Sequence, residues 1–220
     1  MKHPIIEFLE ALSLNNSKEW FDANRAKYNQ ARNELIEITN ELINDIAKYD
    51  PSIGLQSGQK CLYRQNRDLR FSANKSPYKT TMSAFIAPGG KSSGNPGYYI
   101  HFEAGQSFIG GGVYAPSPIY LHAIRTEIYY HTQEFNQILN DPAFIATFGA
   151  MMDERLLRVP KGFSPDSDAA DLLKYKHYVV MHSFNPNLSD TGEIIALASE
   201  VFRKMHAFNA FLFRAILNLE

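Results

Sequence analysis

Apolar residues recur every seven positions at Phe21, Tyr28, Leu35, Leu42 and Tyr49. Ala31 and Ile38 fill the intermediate positions of that seam, and Ile46 lies beside it. Such spacing marks one face of a helix. Asn16, followed by Glu19, has the form of a capping box, and Pro51 stops the run. The pattern predicts one helix of about 32 residues, about 48 Å long. A short amphipathic helix, Pro4 to Leu12, precedes it. Asn24 and Asp45 fall on the seam. Polar residues there favour a helix laid across a sheet over a coiled-coil partner helix.

The period then changes from helical to strand-like. Lys60 to Arg64, Thr80 to Ala87, Gly97 to Glu103 and Ser107 to Val113 carry β-branched and aromatic residues between turn signals. Ala104, Gly105 and Gln106 close a hairpin, and the stretch from Pro88 to Gly97 is a loop by composition. Ser117 and Pro118 open a helix to about Leu139. Asp141 and Pro142 open another, which Gly149 ends. A short strand is expected at Leu156 to Val159, a helix at Asp168 to Lys176, and a strand at Tyr178 to Phe184. Ser189 or Asp190 begins a C-terminal helical region, expected to split near His206. The prediction is an α+β fold. A mainly antiparallel sheet is packed by long N-terminal and C-terminal helices, in a single domain spanning residues 1–220.

Composition narrows the class. Of 220 residues, 45% are apolar and 20% charged, so the chain can build a core. The single cysteine, Cys61, forbids an intrachain disulfide and fits a small core residue. Glu7 and Glu10 interrupt the N-terminal apolar stretch, and glycines and prolines break the longest uncharged run. Neither a signal peptide nor a membrane span is expected, and a soluble cytoplasmic protein is.

The formal charge of −1 argues against a broad nucleic-acid-coating surface. Partition changes that picture. Residues 60–79 hold Lys60, Arg64, Arg67, Arg70, Lys75 and Lys79 against one acid, Asp68, a net +5. The other 200 residues carry 16 basic and 22 acidic groups, or −6. Arg offers a planar fork of donors for phosphate or carboxylate, and Lys a point charge. Tyr63, Phe71 and Tyr78 are interleaved, and aromatic faces beside cations can stack on a flat ligand. Asp68 can tether one arginine and leave the others for a ligand. Ser72, Asn74, Ser76 and Pro77 make the segment a turn-rich loop. The alternative is a solvated basic face with a structural Asp68–Arg70 pair.

The run Arg67-Asp-Leu-Arg-Phe-Ser-Ala-Asn-Lys-Ser-Pro-Tyr-Lys-Thr80 resembles the signature of a bacterial and fungal family, domain of unknown function 2461. Asn15-Asn16 with Trp20-Phe21 is similar to its N-terminal signature. Gly110-Gly111-Gly112-Val-Tyr-Ala-Pro116 with Arg125 resembles its glycine motif. Pro160-Lys161-Gly162-Phe163 and Asp171-Leu-Leu-Lys-Tyr-Lys176 resemble its C-terminal blocks. Asn74 stands where the family usually has an acid, and Ser167 where a histidine commonly follows the aspartate. The resemblance implies one compact domain and no particular activity.

Other constellations are sparser. Gly110 to Gly112 precede a helix start, a pattern that can cradle phosphate, but close strand packing explains it as well. Gly90-Lys91-Ser92 lacks the upstream glycine of a Walker motif. Lys161 could extend into the basic site. Tyr99, His101 and Glu103 alternate on one face of a strand, and a His–Glu pair can move protons. The seven histidines form no zinc or HExxH pattern, and nothing calls for a metal or a cofactor.

Three functions follow from different classes. The first is a binding module for a small anionic ligand, bearing phosphate or carboxylate. Arg64, Arg67, Asp68, Arg70, Lys75, Tyr78 and Lys79 form its site. Arg67 and Arg70 hold the anion, Lys75 and Lys79 add charge, and Tyr78 stacks. The second is a hydrolase or transferase acting on a phosphate-containing small molecule, with His101 or Glu103 moving a proton. The third is a protein-interaction module using the long N-terminal helix.

Overall fold

A computed structural model of the chain describes residues 2–70, 75–185 and 190–219. Ser72, Asn74 and Phe71 of the basic segment, and Ser189, lie outside the described residues.

Helix α1, Pro4–Leu14, starts at His3, whose Nδ1 accepts the Ile5 N–H at 3.4 Å. The long N-terminal helix is in fact two, α2 (Lys18–Ala23) and α3 (Arg25–Ile46). The break falls at Asn24, whose Nδ2 turns back to the Trp20 carbonyl at 2.9 Å. A side-chain amide that bonds the nearby backbone competes with helix continuation. Ser17, not Asn16, caps α2, accepting the Trp20 N–H at 3.2 Å. Of the seam, Phe21, Ala31, Leu35, Ile38 and Leu42 are buried in the chain's own core, with Ile46 beside them, and Tyr28 and Tyr49 pack half-buried against it.

Lys60 to Arg64, expected as a strand, contributes instead to the short helix α4, Gly58–Cys61. Gly58 sits so close to α3 that a Cβ would lie 2.5 Å from the Ile36 carbonyl oxygen. What remains of strand pairing beside it is irregular, with isolated bridges from Leu62 to Ala84 and from Asn66 to Tyr78.

The sheet is antiparallel, in the order β1 (Thr81–Ile86), β2 (Gly97–Glu103), β3 (Phe108–Val113) and β4 (Tyr178–Ser183). Alternation sorts its side chains by face. Met82, Ala84, Ile86, Tyr98, Ile100, Phe102, Ile109 and Val180 are buried on one side. There they meet α1, α3 and the C-terminal helix α8, Thr191–Leu217. A Cβ on Gly111 would lie 2.3 Å from Met205 Sδ, so glycine here is what lets α8 approach β3.

Helix α8 is uninterrupted through His206, against the expected split. That ring is engaged from the sheet, with Nδ1 3.2 Å from the Tyr98 hydroxyl. Between the sheet's last strands run α5 (Pro118–Tyr130), α6 (Thr132–Leu139) and α7 (Pro142–Phe148). The predicted helix to Leu139 breaks at His131, where the Thr132 hydroxyl donates to the Ile128 carbonyl at 2.8 Å. Leu156 to Val159 is not a strand. Only Arg155 bridges, to Tyr175, and of the helix expected at Asp168 to Lys176 one 3-10 turn, Leu172–Lys174, forms. The fold is α+β, with helices packed on a four-stranded antiparallel sheet. Among the described residues no helix is long and apolar enough to cross a membrane.

Candidate functional site

The sheet face turned away from the core helices carries Thr81, Ser83 and Phe85 on β1, Tyr99, His101 and Glu103 on β2, and Phe108 on β3. Register sets Tyr99 between Phe85 and Gly110, and Gly110 against Met181. A cleft of about 490 Å³ opens over this face. That volume lies within the usual range for small-molecule sites.

Its floor is low because β3 presents no side chain at Gly110 or Gly112. A Cβ on Gly112 would stand 2.0 Å from the Tyr178 carbonyl oxygen, and its φ of 98° is left-handed. The glycine run is therefore strand floor, not a phosphate loop. Its walls are aromatic and sulfur-bearing: Tyr63, Phe85, Tyr99, Tyr114, Met152 and Met181.

Among the described residues two ammonium groups reach the cleft, those of Lys79 and Lys91. Lys91 donates to the carbonyls of Lys60 at 2.6 Å and Leu62 at 2.7 Å, fastening the β1–β2 loop over α4. Lys79 is half-buried, and its Nζ lies 5.7 Å from the Tyr63 ring centroid. Burial, and then the charge of Arg64, pull its pKa below the ordinary lysine value. Among the described residues no carboxylate offsets that shift.

The placement of Lys79 follows from its neighbour. Residues 62–67 pair with 77–84 as an irregular hairpin, through Lys79 N–H to Gln65 at 2.8 Å, Arg67 N–H to Pro77 at 2.9 Å and Tyr63 N–H to Ser83 at 3.0 Å. Within it the Tyr78 ring turns inward and stacks on Phe21, centroids 3.9 Å apart. Alternation then points Lys79 the other way, to the cleft.

The other predicted ligand residues are not gathered there. The Tyr78 ring is buried in the core, so its stacking partner is Phe21 rather than a ligand. Arg70 lies along Asp68, with Nη2 2.6 Å and Nε 3.0 Å from its carboxylate oxygens, both side chains exposed. That pair spans two residues of the same segment. The hydrogen bond from Arg70 holds the Asp68 carboxyl below its usual range. Lys75 donates to the Leu69 carbonyl at 3.2 Å, closing the loop on itself. Arg64 is exposed, Arg67 half-buried, and neither lines the cleft. Lys161 sits in an exposed turn away from it.

His101 and Glu103 share the cleft's face but stand behind Tyr99. The Tyr99 hydroxyl is 2.8 Å from His101 Nδ1, and His101 Nε2 is 3.3 Å from Glu103 Oε2. His101 also stacks on Phe108, centroids 4.6 Å apart. Burial lowers its pKa, although Glu103 raises it. Among the described residues no group of three His, Cys, Asp or Glu side chains could hold a metal ion.

The sequence set Tyr63 among the interleaved aromatics without a place in the site, and gave no role there to Lys91, Thr81 or Ser83. Thr81 and Ser83 could have been found from alternation, since they share a face with Phe85. Lys91 carried no signal beyond a lysine in a glycine-rich loop.

No curated protein and no solved structure matches the chain. Residues 4–211 match the family model described as "Conserved hypothetical protein (DUF2461)", and with most of its length covered the chain belongs to that family.

Proposed function

We propose that the protein binds a small anionic ligand with a flat apolar body in the cleft over the sheet. The observation that carries this reading is Lys79, a half-buried ammonium among aromatic rings with no carboxylate among the described residues acting on it. A buried charge without a counter-ion is costly, and a phosphate or carboxylate entering the cleft supplies one. Tyr63, Phe85 and Tyr99 offer faces and edges to a planar ring above the glycine floor.

A thermal-shift screen of aromatic phosphates and carboxylates tests this. A ligand at about 100 times its Kd stabilises by about 2.7 kcal/mol, or about 5–10 °C for a chain of this size. The same compounds should leave Lys79→Met unshifted. Equal shifts in both proteins would remove the reading.

A second reading, a hydrolase or transferase acting on a phosphate-containing small molecule, is favoured by the Tyr99–His101–Glu103 chain. The reading as a partner helix loses its basis, because the α2–α3 seam is packed internally.

A further inference from the structure

We infer that Tyr99, His101 and Glu103 form a proton relay whose cleft end is the Tyr99 hydroxyl, acting as general base for water attacking a phosphate ester held beside Lys79. This deepens the ligand reading above and rests on it.

The direction of the relay follows from what each group can donate. An ionised carboxylate only accepts, so Glu103 Oε2 takes the His101 Nε2–H at 3.3 Å. In a neutral imidazole the other nitrogen is then an acceptor, and the Tyr99 hydroxyl donates to Nδ1 at 2.8 Å. Ser83 donates to the same oxygen, which leaves it one lone pair for a water in the cleft that Tyr99 lines. The phenol alone is a poor base, because burial raises its pKa first of all. Backed by a neutral imidazole, it can take a proton while passing its own on. Tyr63 packs edge-on against Tyr99, centroids 6.3 Å apart, and also contacts Lys79, so anion and relay address the same space.

His101 is built for this rather than for solvent. Its side chain is 13% exposed, stacked on Phe108 from β3, and paired in register with Ser83 on β1. Glu103 is the charged group its titration registers. Tyr99 also takes a hydrogen bond from Ser83 and feels Tyr63 and Glu103.

The step balances. A water proton moves to the Tyr99 oxygen as the phenolic proton moves to His101 Nδ1. The water oxygen bonds phosphorus, the ester P–O bond breaks, and the leaving phenolate departs with that electron pair, needing no proton in the step. The imidazolium rests against Glu103 and returns its proton to solvent through Tyr99. Tyr99 is the group that meets substrate, while His101 and Glu103 act through it.

The test uses full-length protein and 4-nitrophenyl phosphate, an anion on a flat ring whose hydrolysis is read by colour. Binding is read separately, from NMR shifts of the Lys79 and Tyr63 signals. Wild type should turn the probe over, and Tyr99→Phe should bind it equally but lose about 100-fold in rate. Activity should rise with pH through a midpoint below the ordinary histidine value of 6.5. Glu103→Gln removes the group that raises the His101 pKa, so that limb should move to lower pH. A merely structural Glu103 would leave it in place. Turnover by Tyr99→Phe equal to wild type, or binding without turnover by wild type, overturns the relay and leaves the ligand reading standing. A wild type that does not bind the probe overturns both.

Discussion

The side-chain amide of Asn16 holds both backbone polar groups of Tyr78: its Oδ1 accepts the Tyr78 N–H at 3.1 Å and its Nδ2 donates to the Tyr78 carbonyl at 3.0 Å. The connection between α1 and α2 thus acts as a partner strand one residue long. It fixes the depth of the Tyr78 ring against Phe21, and through alternation the outward direction of Lys79.

Asn16→Ala should therefore act at two places. Two part-buried backbone groups lose their partner, a cost of about 1–3 kcal/mol, read as a lower urea midpoint. Asn16→Asp keeps the acceptor but cannot donate to the Tyr78 carbonyl, so its midpoint should fall between the two. Equal midpoints for all three proteins would show that the arm is held elsewhere.

His3 gives a pH dependence of defined sign. It is fully buried, caps α1 and stacks on Phe102, and burial lowers its pKa despite Glu34. Below 6.5 the unfolded chain binds a proton that the folded one refuses. Stability is then lost as pH falls from 6.5 through the lowered folded pKa. His3→Asn retains a capping acceptor and does not titrate, so its urea midpoint should fall less between neutral and mildly acid pH. An identical slope would contradict the assignment.

Asp50 adds a second loss on the acid side, at lower pH. Burial raises its pKa, but hydrogen bonds from His206, Ser52 and Tyr98 outweigh that and hold it at about 2. Its contribution, about 2 kcal/mol, is present above the ordinary value of 3.8 and disappears as pH falls towards 2. Tyr98→Phe removes the donor 2.8 Å from Asp50 Oδ2. Acid unfolding of that variant, followed by circular dichroism, should begin at higher pH than in wild type.

Two left-handed glycines should differ sharply. At Gly105, φ is 77° with open space around a Cβ, so Gly105→Ala should cost only the backbone term, about 1–3 kcal/mol. At Gly112 the added methyl would also meet the Tyr178 carbonyl oxygen, which belongs to the sheet ladder and cannot yield. Gly112→Ala should unfold the protein or lower its Tm well beyond the Gly105 variant. Similar Tm values would mean that the cleft floor adapts.

These contrasts show what was legible in the chain. All four strands and the β2–β3 hairpin follow from strand-forming residues between turn signals, because burial on one face enforces a period of two. The α+β class followed from the same pattern. The helix break at Asn24 did not, since Asn24 lies within an unbroken seven-residue repeat and acts through a local side-chain bond. Charge density marked the basic segment but not which of its members face the cleft. Arg70 is spent on Asp68 two residues away, whereas Lys79 reaches the cleft because of Phe21, nearly sixty residues earlier. Lys91 and Met181 join the site through a loop and the last strand, positions that only the sheet order brings together.

Lys79 should also reveal itself without a ligand. A lysine whose folded pKa is lowered loses its proton in the folded state first, so stability gains as pH rises towards 10.5. Lys79→Met should remove that gain and be no less stable than wild type at neutral pH, judged by Tm. A markedly destabilised Lys79→Met would mean that the ammonium is a structural group.

The central claim is that the cleft, and not the Asp68–Arg70 loop, holds the anion. Crystals soaked in phenylphosphonate, which does not hydrolyse, test it most directly. The account predicts phosphonate density against Lys79 Nζ, with the phenyl ring between Tyr63 and Tyr99. Density at Arg70 with an empty cleft would contradict it.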